Sequence, residues 1–69
     1  MEVNKIISQN IAKYRKNKGL SQSDIARMLG VSPQAVSKWE NALCCPDISL
    51  LPLISNICGV TIDDLFSEQ

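Results

Sequence analysis

The sequence has no histidine and only three cysteines, which excludes most small metal and catalytic sites. A structural zinc site needs four ligands, whereas Cys44, Cys45 and Cys58 have no fourth partner and no C-x-x-C spacing. A nucleophilic cysteine needs a neighbouring base, which histidine would have to supply. We therefore expect no metal, no cofactor and no enzymatic activity. Cys58 falls at an apolar helical position and is expected in the core, while the adjacent thiols Cys44 and Cys45 leave redox or metal sensing open.

Long apolar runs, repeats, low-complexity tracts and linkers are also absent. No apolar run is long enough to cross a membrane, and the N-terminal region, interrupted by lysines and Arg15, does not resemble a signal peptide. These absences predict a cytosolic protein with reduced thiols and no membrane contact. With 45% apolar side chains, residues 1–69 are expected to form one small domain with one core.

No basic residue follows Lys38, although the net charge of the chain is zero. Residues 1–40 contain seven basic and three acidic side chains, which gives +4, and residues 41–69 contain four acidic side chains, which gives −4. The positive half could attract phosphates even though the whole chain is neutral. Chance asymmetry in a small protein would explain the same distribution, so this signal is weak by itself.

Capping residues divide the chain into short helices. Ser21 with Asp24 and Thr61 with Asp64 have the spacing of capping boxes, and Gly30 is typical of a helix end. No segment shows sustained strand alternation, so the predicted fold is all-α. The predicted helices run from after Asn4 to Gly19, from Ser21 to Gly30, from Pro33 to about Asn41, from near Ser49 to Cys58, and from Thr61 through Phe66.

Helices 2 and 3, joined by Gly30-Val31-Ser32, have the pattern of a helix-turn-helix covering about residues 22–41. Ala26 would let the two helices cross closely, and Gly30 suits the positive φ of a tight turn. Helix 3 has a short polar face that is mostly uncharged and rich in hydrogen-bonding groups. An ordinary solvated face on a helical corner without a ligand is the simpler alternative. The polar face consists of Gln34, Ser37, Lys38 and Asn41.

From Ile7 to Phe66 the chain resembles the phage Cro/repressor-like helix-turn-helix family of transcriptional regulators, also called the xenobiotic response element family. The resemblance implies a compact five-helix lambda-repressor-like domain. It also implies sequence-specific binding of double-stranded DNA by a dimeric repressor on a palindromic operator. The matching residues are Gly19-Leu20-Ser21-Gln22, Ile25-Ala26, Leu29-Gly30-Val31-Ser32, Val36-Ser37-Lys38-Trp39-Glu40, Pro46-Asp47 and Gly59-Val60.

The resemblance also implies which residues would contact DNA. Helix 3 would enter the major groove, where glutamine can pair with adenine and lysine with guanine. The base-contacting set would be Ser32, Gln34, Ser37 and Lys38, and the phosphate-contacting set Gln22, Arg15 and Asn41. Arg15 and Glu40 match positions that form an ion pair between helices 1 and 3. Pro33 replaces a polar residue that some relatives have there, and the loop after helix 3 has no basic residue, so we expect a shallow salt dependence.

Helix 4 has more apolar surface than one core contact requires. In relatives this region meets a second subunit, so Leu50, Leu53 and Ile62 are the predicted homodimer patch. Packing into the core, or coverage by a further C-terminal domain, would also explain these residues. A different class of function, a protein-interaction module such as an antitoxin-like partner binder, would use the same helix 4 surface. The sequence identifies no small-molecule inducer.

Overall fold

The computed structural model describes residues 3–68, which form five α-helices and one short 3₁₀ turn and contain no strand. The predicted all-α fold with five helices is confirmed. In chain order the elements are α1 (Val3–Asn17), α2 (Gln22–Leu29), α3 (Pro33–Glu40), the 3₁₀ turn (Ile48–Leu50), α4 (Leu51–Cys58) and α5 (Ile62–Leu65).

Both capping boxes form as the sequence predicts. The Ser21 hydroxyl accepts the Asp24 N–H at 2.9 Å, and the Asp24 carboxylate accepts the Ser21 N–H at 2.9 Å. Thr61 and Asp64 make the same reciprocal pair at 3.1 and 3.0 Å. These bonds satisfy N–H groups that have no partner inside a helix, so α2 and α5 begin where their caps lie.

Two predicted helix starts are wrong. α1 begins at Val3 instead of after Asn4, so Asn4 lies within its first turn. α4 begins at Leu51 instead of near Ser49, because residues 48–50 form the 3₁₀ turn, in which the Leu50 N–H donates to the Asp47 carbonyl at 2.8 Å. Pro52 lies in the first turn of α4, where its missing N–H removes no helical hydrogen bond.

The core draws one fully buried side chain from each α-helix: Ile11, Ile25, Val36, Ile54 and Leu65. Ala26 and Trp39 are also buried and pack in the same cluster, as does Cys58, whose place in the core the sequence predicts. Burial of an isoleucine or leucine contributes roughly 1.5–3 kcal/mol, so even this small cluster supplies a large part of the stability of the domain. Because every helix contributes to one cluster, the position of α3 depends on all the others.

The Asn10 side chain joins α1 to the C-terminal end of α5 by hydrogen bonds. Its side chain is buried, and Nδ2 donates to the carbonyl oxygens of Leu65 and Ser67, both at 2.8 Å. These bonds satisfy carbonyls at the C-terminal end of α5, which is too short to hold itself in place. Among residues 3–68 the side-chain oxygen of Asn10 has no hydrogen-bond partner.

Candidate nucleic-acid interface

The turn between α2 and α3 is built by backbone hydrogen bonds and one glycine. Gly30 has φ 75°, in the left-handed region that glycine adopts at low cost. The Val31 N–H donates to the Ala26 carbonyl at 3.0 Å. Ser32 then caps α3, because its hydroxyl accepts the Ala35 N–H at 3.2 Å. Together these contacts close a helix-turn-helix over α2 and α3.

α3 has a buried side and an exposed side. Val36 and Trp39 face the core, whereas Gln34 and Lys38 are exposed. Within residues 3–68 the side chains of Gln34 and Lys38 make no hydrogen bond or ion pair. Both therefore present unused donors, and Gln34 also presents an unused acceptor, to whatever binds this face.

The two serines of the predicted base-contacting set are already engaged in the free protein. The Ser32 hydroxyl accepts a bond as the α3 cap, and the half-buried Ser37 hydroxyl accepts from Asn41 Nδ2 at 3.3 Å. Each hydroxyl still has its own hydrogen to donate. Asn41 is exposed at the end of α3, where Nδ2 also donates to the Ser37 carbonyl at 2.8 Å.

Arg15 and Glu40 form a bidentate ion pair that joins α1 to α3. Arg15 Nε lies 2.6 Å from Glu40 Oε2, and Arg15 Nη2 lies 2.9 Å from Glu40 Oε1. Arg15 Nη1 donates to the Leu20 carbonyl at 2.7 Å. The side chains of Arg15 and Glu40 are only 9% and 8% exposed, so the guanidinium is turned into the protein.

The ion pair shifts the pKa of both partners. The hydrogen bond to Glu40 raises the pKa of Arg15 above its ordinary value, against the effect of burial. Burial by itself would raise the pKa of Glu40, but hydrogen bonds from Arg15 and Gln22 outweigh it and lower the pKa. Both groups are therefore charged at neutral pH, and their charges compensate each other locally.

Gln22, another predicted phosphate ligand, is also bonded to this pair. Gln22 Nε2 donates to Glu40 Oε1 at 3.0 Å. Nothing in the sequence indicates this bond, because it joins residues of different helices that are 18 positions apart. It places Gln22, at the N-terminal end of α2, beside the C-terminal end of α3.

The loop after α3 begins with an alanine in the left-handed conformation. Ala42 has φ 59°, its N–H donates to the Trp39 carbonyl at 3.1 Å, and the Leu43 N–H donates to the Lys38 carbonyl at 2.9 Å. This pair of hydrogen bonds ends α3 with a left-handed residue, a position that is usually occupied by glycine. Beyond it Cys44 and Cys45 are exposed, and the Cys45 thiol donates to the Asn4 side-chain oxygen.

The predicted dimer patch is only partly at the surface. Leu53 and Ile62 are 50% and 40% exposed, whereas Leu50 is half-buried against the core. Sequence reasoning did not single out Ile48 as an exposed apolar side chain, although it is 79% exposed. The only indication in the sequence was that Ile48 lies shortly before α4, in the segment that forms the 3₁₀ turn. The exposed apolar surface near α4 thus includes Ile48.

Two further findings concern other classes of site. Across residues 3–68 no three His, Cys, Asp or Glu side chains lie close enough together to hold a metal ion. None of the helices in this part of the chain is long and apolar enough to span a membrane.

Comparisons with known proteins identify the family. The helix-turn-helix family model matches residues 11–65. The chain is 40% identical over 62 residues to the HTH-type transcriptional activator BcrR of Enterococcus faecalis, covering 90% of this chain and 30% of BcrR. It is 35% identical over 65 residues to the HTH-type transcriptional regulator SinR of Bacillus subtilis, covering 93% of this chain and 59% of SinR. It is 30% identical over 64 residues to the antitoxin PezA of Streptococcus pneumoniae, covering 93% of this chain and 40% of PezA.

The fold is also found among solved structures. The SOS-response transcriptional repressor LexA of Eubacterium rectale superposes with a TM-score of 0.88 at 24% identity, covering 97% of this chain and 71% of the LexA structure. This chain spans between 30% and 59% of the length of the three relatives above. The protein belongs to the Cro/repressor-like helix-turn-helix family, whose members include transcriptional regulators.

Proposed function

We propose that residues 1–69 act as one DNA-binding domain of a transcriptional regulator, which inserts α3 into the major groove of double-stranded DNA. The observation that carries this proposal is the exposed side of α3, where Gln34 and Lys38 have no partner within residues 3–68. A helix with its apolar side fixed in a core and unused donors on the other side suits the groove, which is wide enough for a helix. Membership of a family of regulators supports it.

Sequence would be recognised by the α3 face. Gln34 can pair with N6 and N7 of adenine, and Lys38 can donate to O6 and N7 of guanine. Ser32 and Ser37 would donate their hydroxyl hydrogens to nearby acceptors while keeping the bonds they already accept. Each well-formed bidentate contact is worth roughly 1–3 kcal/mol of discrimination.

Phosphate contacts would fix the domain on the duplex without reading sequence. Gln22, at the N-terminal end of α2, and Asn41 both lie near the C-terminal end of α3, because Gln22 is bonded to Glu40. The free N–H groups at the start of α2 would add to the contact made by Gln22. Because the loop after α3 has no basic residue, binding should depend less on salt than in a relative with a basic loop.

A homodimer would bind two half-sites of a palindromic operator. A two-fold axis near Leu53 and Ile62, with Leu50 supporting them, would bury exposed apolar surface. Half-sites for such a dimer lie about one helical turn, roughly 34 Å, apart. We infer repression by occupancy of the operator in the cytoplasm. The similar protein BcrR is an activator. Repression must therefore be measured separately from DNA binding, for example with a reporter gene.

Selection from a random pool of DNA duplexes at moderate salt, followed by sequencing, tests the proposal. We expect enrichment of an inverted repeat. Gln34→Ala with Ser37→Ala should lose the enrichment, whereas Gln9→Ala, an exposed glutamine on α1, should keep it. Retention of all duplexes alike, without any enriched motif, would contradict sequence-specific binding.

A protein-interaction module is the second candidate, favoured by the similarity to the antitoxin PezA and by the exposed Leu53 and Ile62. Its partner would be a protein that covers the apolar surface of α4 and α5. Gln34→Ala with Ser37→Ala would leave this function intact, and Leu53→Asp would remove it. Gln34→Ala with Ser37→Ala therefore separates the two candidate functions, whereas Leu53→Asp would also remove the homodimer proposed to bind DNA.

A further inference from the structure

Glu40 is the point at which α1, α2 and α3 are joined by side-chain hydrogen bonds. Its Oε2 accepts from Arg15 Nε at 2.6 Å, and its Oε1 accepts from both Arg15 Nη2 at 2.9 Å and Gln22 Nε2 at 3.0 Å. Because the ion pair is almost fully buried, the carboxylate cannot turn freely. Gln22 is thus bonded to an acceptor whose own position is fixed.

Arg15 is poorly placed to contact DNA itself. All three of its side-chain nitrogens donate within the protein, to Glu40 and to the Leu20 carbonyl. Its side chain is 9% exposed, so reaching a phosphate would require breaking charge-assisted bonds and leaving the Glu40 carboxylate buried without its partner. The geometry therefore disfavours the direct phosphate contact that the family resemblance implies.

Gln22 differs from Arg15 in having a donor to spare. A primary amide has two N–H hydrogens, and Glu40 takes one of them. The other remains for a second acceptor at the N-terminal end of α2, where the free backbone N–H groups also favour an anion. Holding the side chain in one orientation before binding reduces the conformational entropy lost when the contact forms.

We propose that Arg15 and Glu40 are positioning residues for DNA binding, which orient the Gln22 amide so that its second hydrogen meets a backbone phosphate. This inference rests on the proposed function, since the phosphate belongs to the DNA that α3 reads. Gln22 makes the contact, Glu40 fixes Gln22, and Arg15 fixes Glu40. The ion pair then contributes to affinity without its positive charge approaching the DNA.

The salt dependence distinguishes this arrangement from a direct contact. A cation that neutralises a phosphate releases a counterion, and each such contact adds about 0.9 to the slope of log K against log salt. A neutral amide releases none. Losing the ion pair should therefore weaken binding without changing the slope if Arg15 only positions, and should reduce the slope by about 0.9 per subunit if Arg15 touches phosphate.

The test replaces the pair by Arg15→Met with Glu40→Met, which leaves the net charge unchanged. Buried ion pairs often tolerate apolar replacements of similar volume, and circular dichroism and thermal unfolding would verify the fold. Binding to the enriched duplex would be measured by fluorescence anisotropy over a range of NaCl concentrations. We expect affinity about fivefold lower per subunit, the scale of one hydrogen bond, with an unchanged slope.

Gln22→Ala completes a double-mutant cycle. If Gln22 acts through Glu40, Gln22→Ala should cost the same factor as the Met pair, and the triple variant should lose nothing further. Additive losses would show that Gln22 and the pair act independently, and they would overturn the inference. A slope that falls by about 0.9 per subunit in the Met pair would overturn it in favour of direct contact by Arg15.

Two controls distinguish a loss of Gln22 orientation from a failure of the Met variant to fold. Glu40→Asp keeps the charge but shortens the side chain, so it should reproduce the loss at unchanged slope if the Met pair does not fold. In the free protein, the hydrogen bond to Glu40 should shift one of the two Gln22 side-chain amide proton resonances downfield, and this shift should be lost when Glu40 is replaced. If the enriched duplex still depends on Gln34 and Ser37 while all these variants bind like the wild type, the inference fails and the proposed function stands. If no duplex is enriched, both fail.

Discussion

Ala42 has the one positive φ among the non-glycine residues of 3–68. The left-handed conformation costs an L-residue roughly 1–2 kcal/mol. Ala42→Gly should relieve this cost, although a glycine adds about 0.4–1 kcal/mol of conformational freedom to the unfolded chain. We therefore expect a net stabilisation of about 0.5–1 kcal/mol, which raises the Tm by a few degrees in a domain of this size. Thermal unfolding followed by circular dichroism measures the shift.

Ala12→Gly is the matched control for this prediction, because it makes the same chemical change in the interior of α1. There the glycine relieves no strain, and it should destabilise by about 0.5–1 kcal/mol. If Ala42→Gly also lowered the Tm, the turn at the end of α3 would not be strained by its alanine.

The three thiols should react in two distinct ways. Cys44 and Cys45 are exposed, whereas Cys58 is buried and desolvation raises the pKa of its thiol. Iodoacetamide should therefore add two groups to the native protein, with modification of Cys58 slower by a factor of about 100 or more because it needs unfolding. Intact mass spectrometry, with and without denaturant, counts the adducts. A third adduct at the native rate would contradict the burial of Cys58.

Thiol sensing at the adjacent pair stays a hypothesis. Cα atoms joined by a trans peptide are about 3.8 Å apart, less than the 4.4–6.8 Å usual across a disulfide, so a bond between Cys44 and Cys45 would be strained. Oxidation would also disturb the bond from Cys45 to Asn4. Cys44→Ser with Cys45→Ser should remove any response of DNA binding to peroxide.

At the scale of the helices, the ion pair between α1 and α3 makes stability depend on pH. The pKa of Glu40 is lower in the folded protein than its ordinary value of 4.5. A lowered folded pKa means stabilisation that is present above the unfolded pKa and lost as pH falls through the folded pKa. We therefore expect acid below about pH 4.5 to destabilise the wild type more than Arg15→Met with Glu40→Met.

Urea unfolding at pH 7, 4 and 3 measures this difference. The curve of the variant should shift less with acid, because it lacks the titrating carboxylate, while Asp24, whose pKa the Ser21 bonds lower, titrates in both proteins. Parallel acid shifts in the two proteins would mean that Glu40 does not stabilise the fold through its charge.

Local signals account for the elements that the sequence predicted well. α2, α3 and α5 each begin at a Ser or Thr cap, and their boundaries depend on neighbouring residues alone. α4 depends on more, because Pro52 permits several starting points, and packing of Leu51 into the core favours the helix after the 3₁₀ turn. For the same reason the sequence left open whether Leu50 packs into the core, and the structure places it half-buried there.

In the candidate site, too, some features follow from neighbouring residues and others only from the packing of helices against each other. Exposure of Gln34 and Lys38 follows from helical periodicity, once Val36 and Trp39 are assigned to the core. The bond from Gln22 to Glu40 follows from no local pattern, because it requires α2 and α3 to be placed relative to each other. The inward orientation of the Arg15 side chain likewise needs the Leu20 carbonyl, as a third acceptor beside the two Glu40 oxygens.

The two halves of the molecule have opposite net charge. The +4 of residues 1–40 comes from residues 1–21, since two acidic and two basic side chains cancel within the helix-turn-helix, and the −4 of residues 41–69 includes α4 and α5 with the proposed dimer patch. A two-fold contact through Leu53 and Ile62 would bring two acidic halves together, with Asp63 next to Ile62. Apolar burial would favour such a dimer, while like charges near the interface would oppose it.

Self-association should therefore tighten as salt is added, opposite to DNA binding. Raising ionic strength from about 0.01 to 0.15 M shortens the Debye length from about 30 to 8 Å, which screens the repulsion between the acidic halves. We expect the dimer Kd to fall by roughly fivefold to tenfold over this range, as measured by sedimentation velocity.

Leu53→Asp should abolish the dimer, whereas Leu43→Asp, a matched change at an exposed site outside the patch, should keep it. A dimer that weakened with salt would have to use another surface, with opposite charges in contact. Tighter pairing would offset only part of the affinity lost with salt, because a dimer on the full palindrome makes twice as many phosphate contacts as one subunit on a half-site.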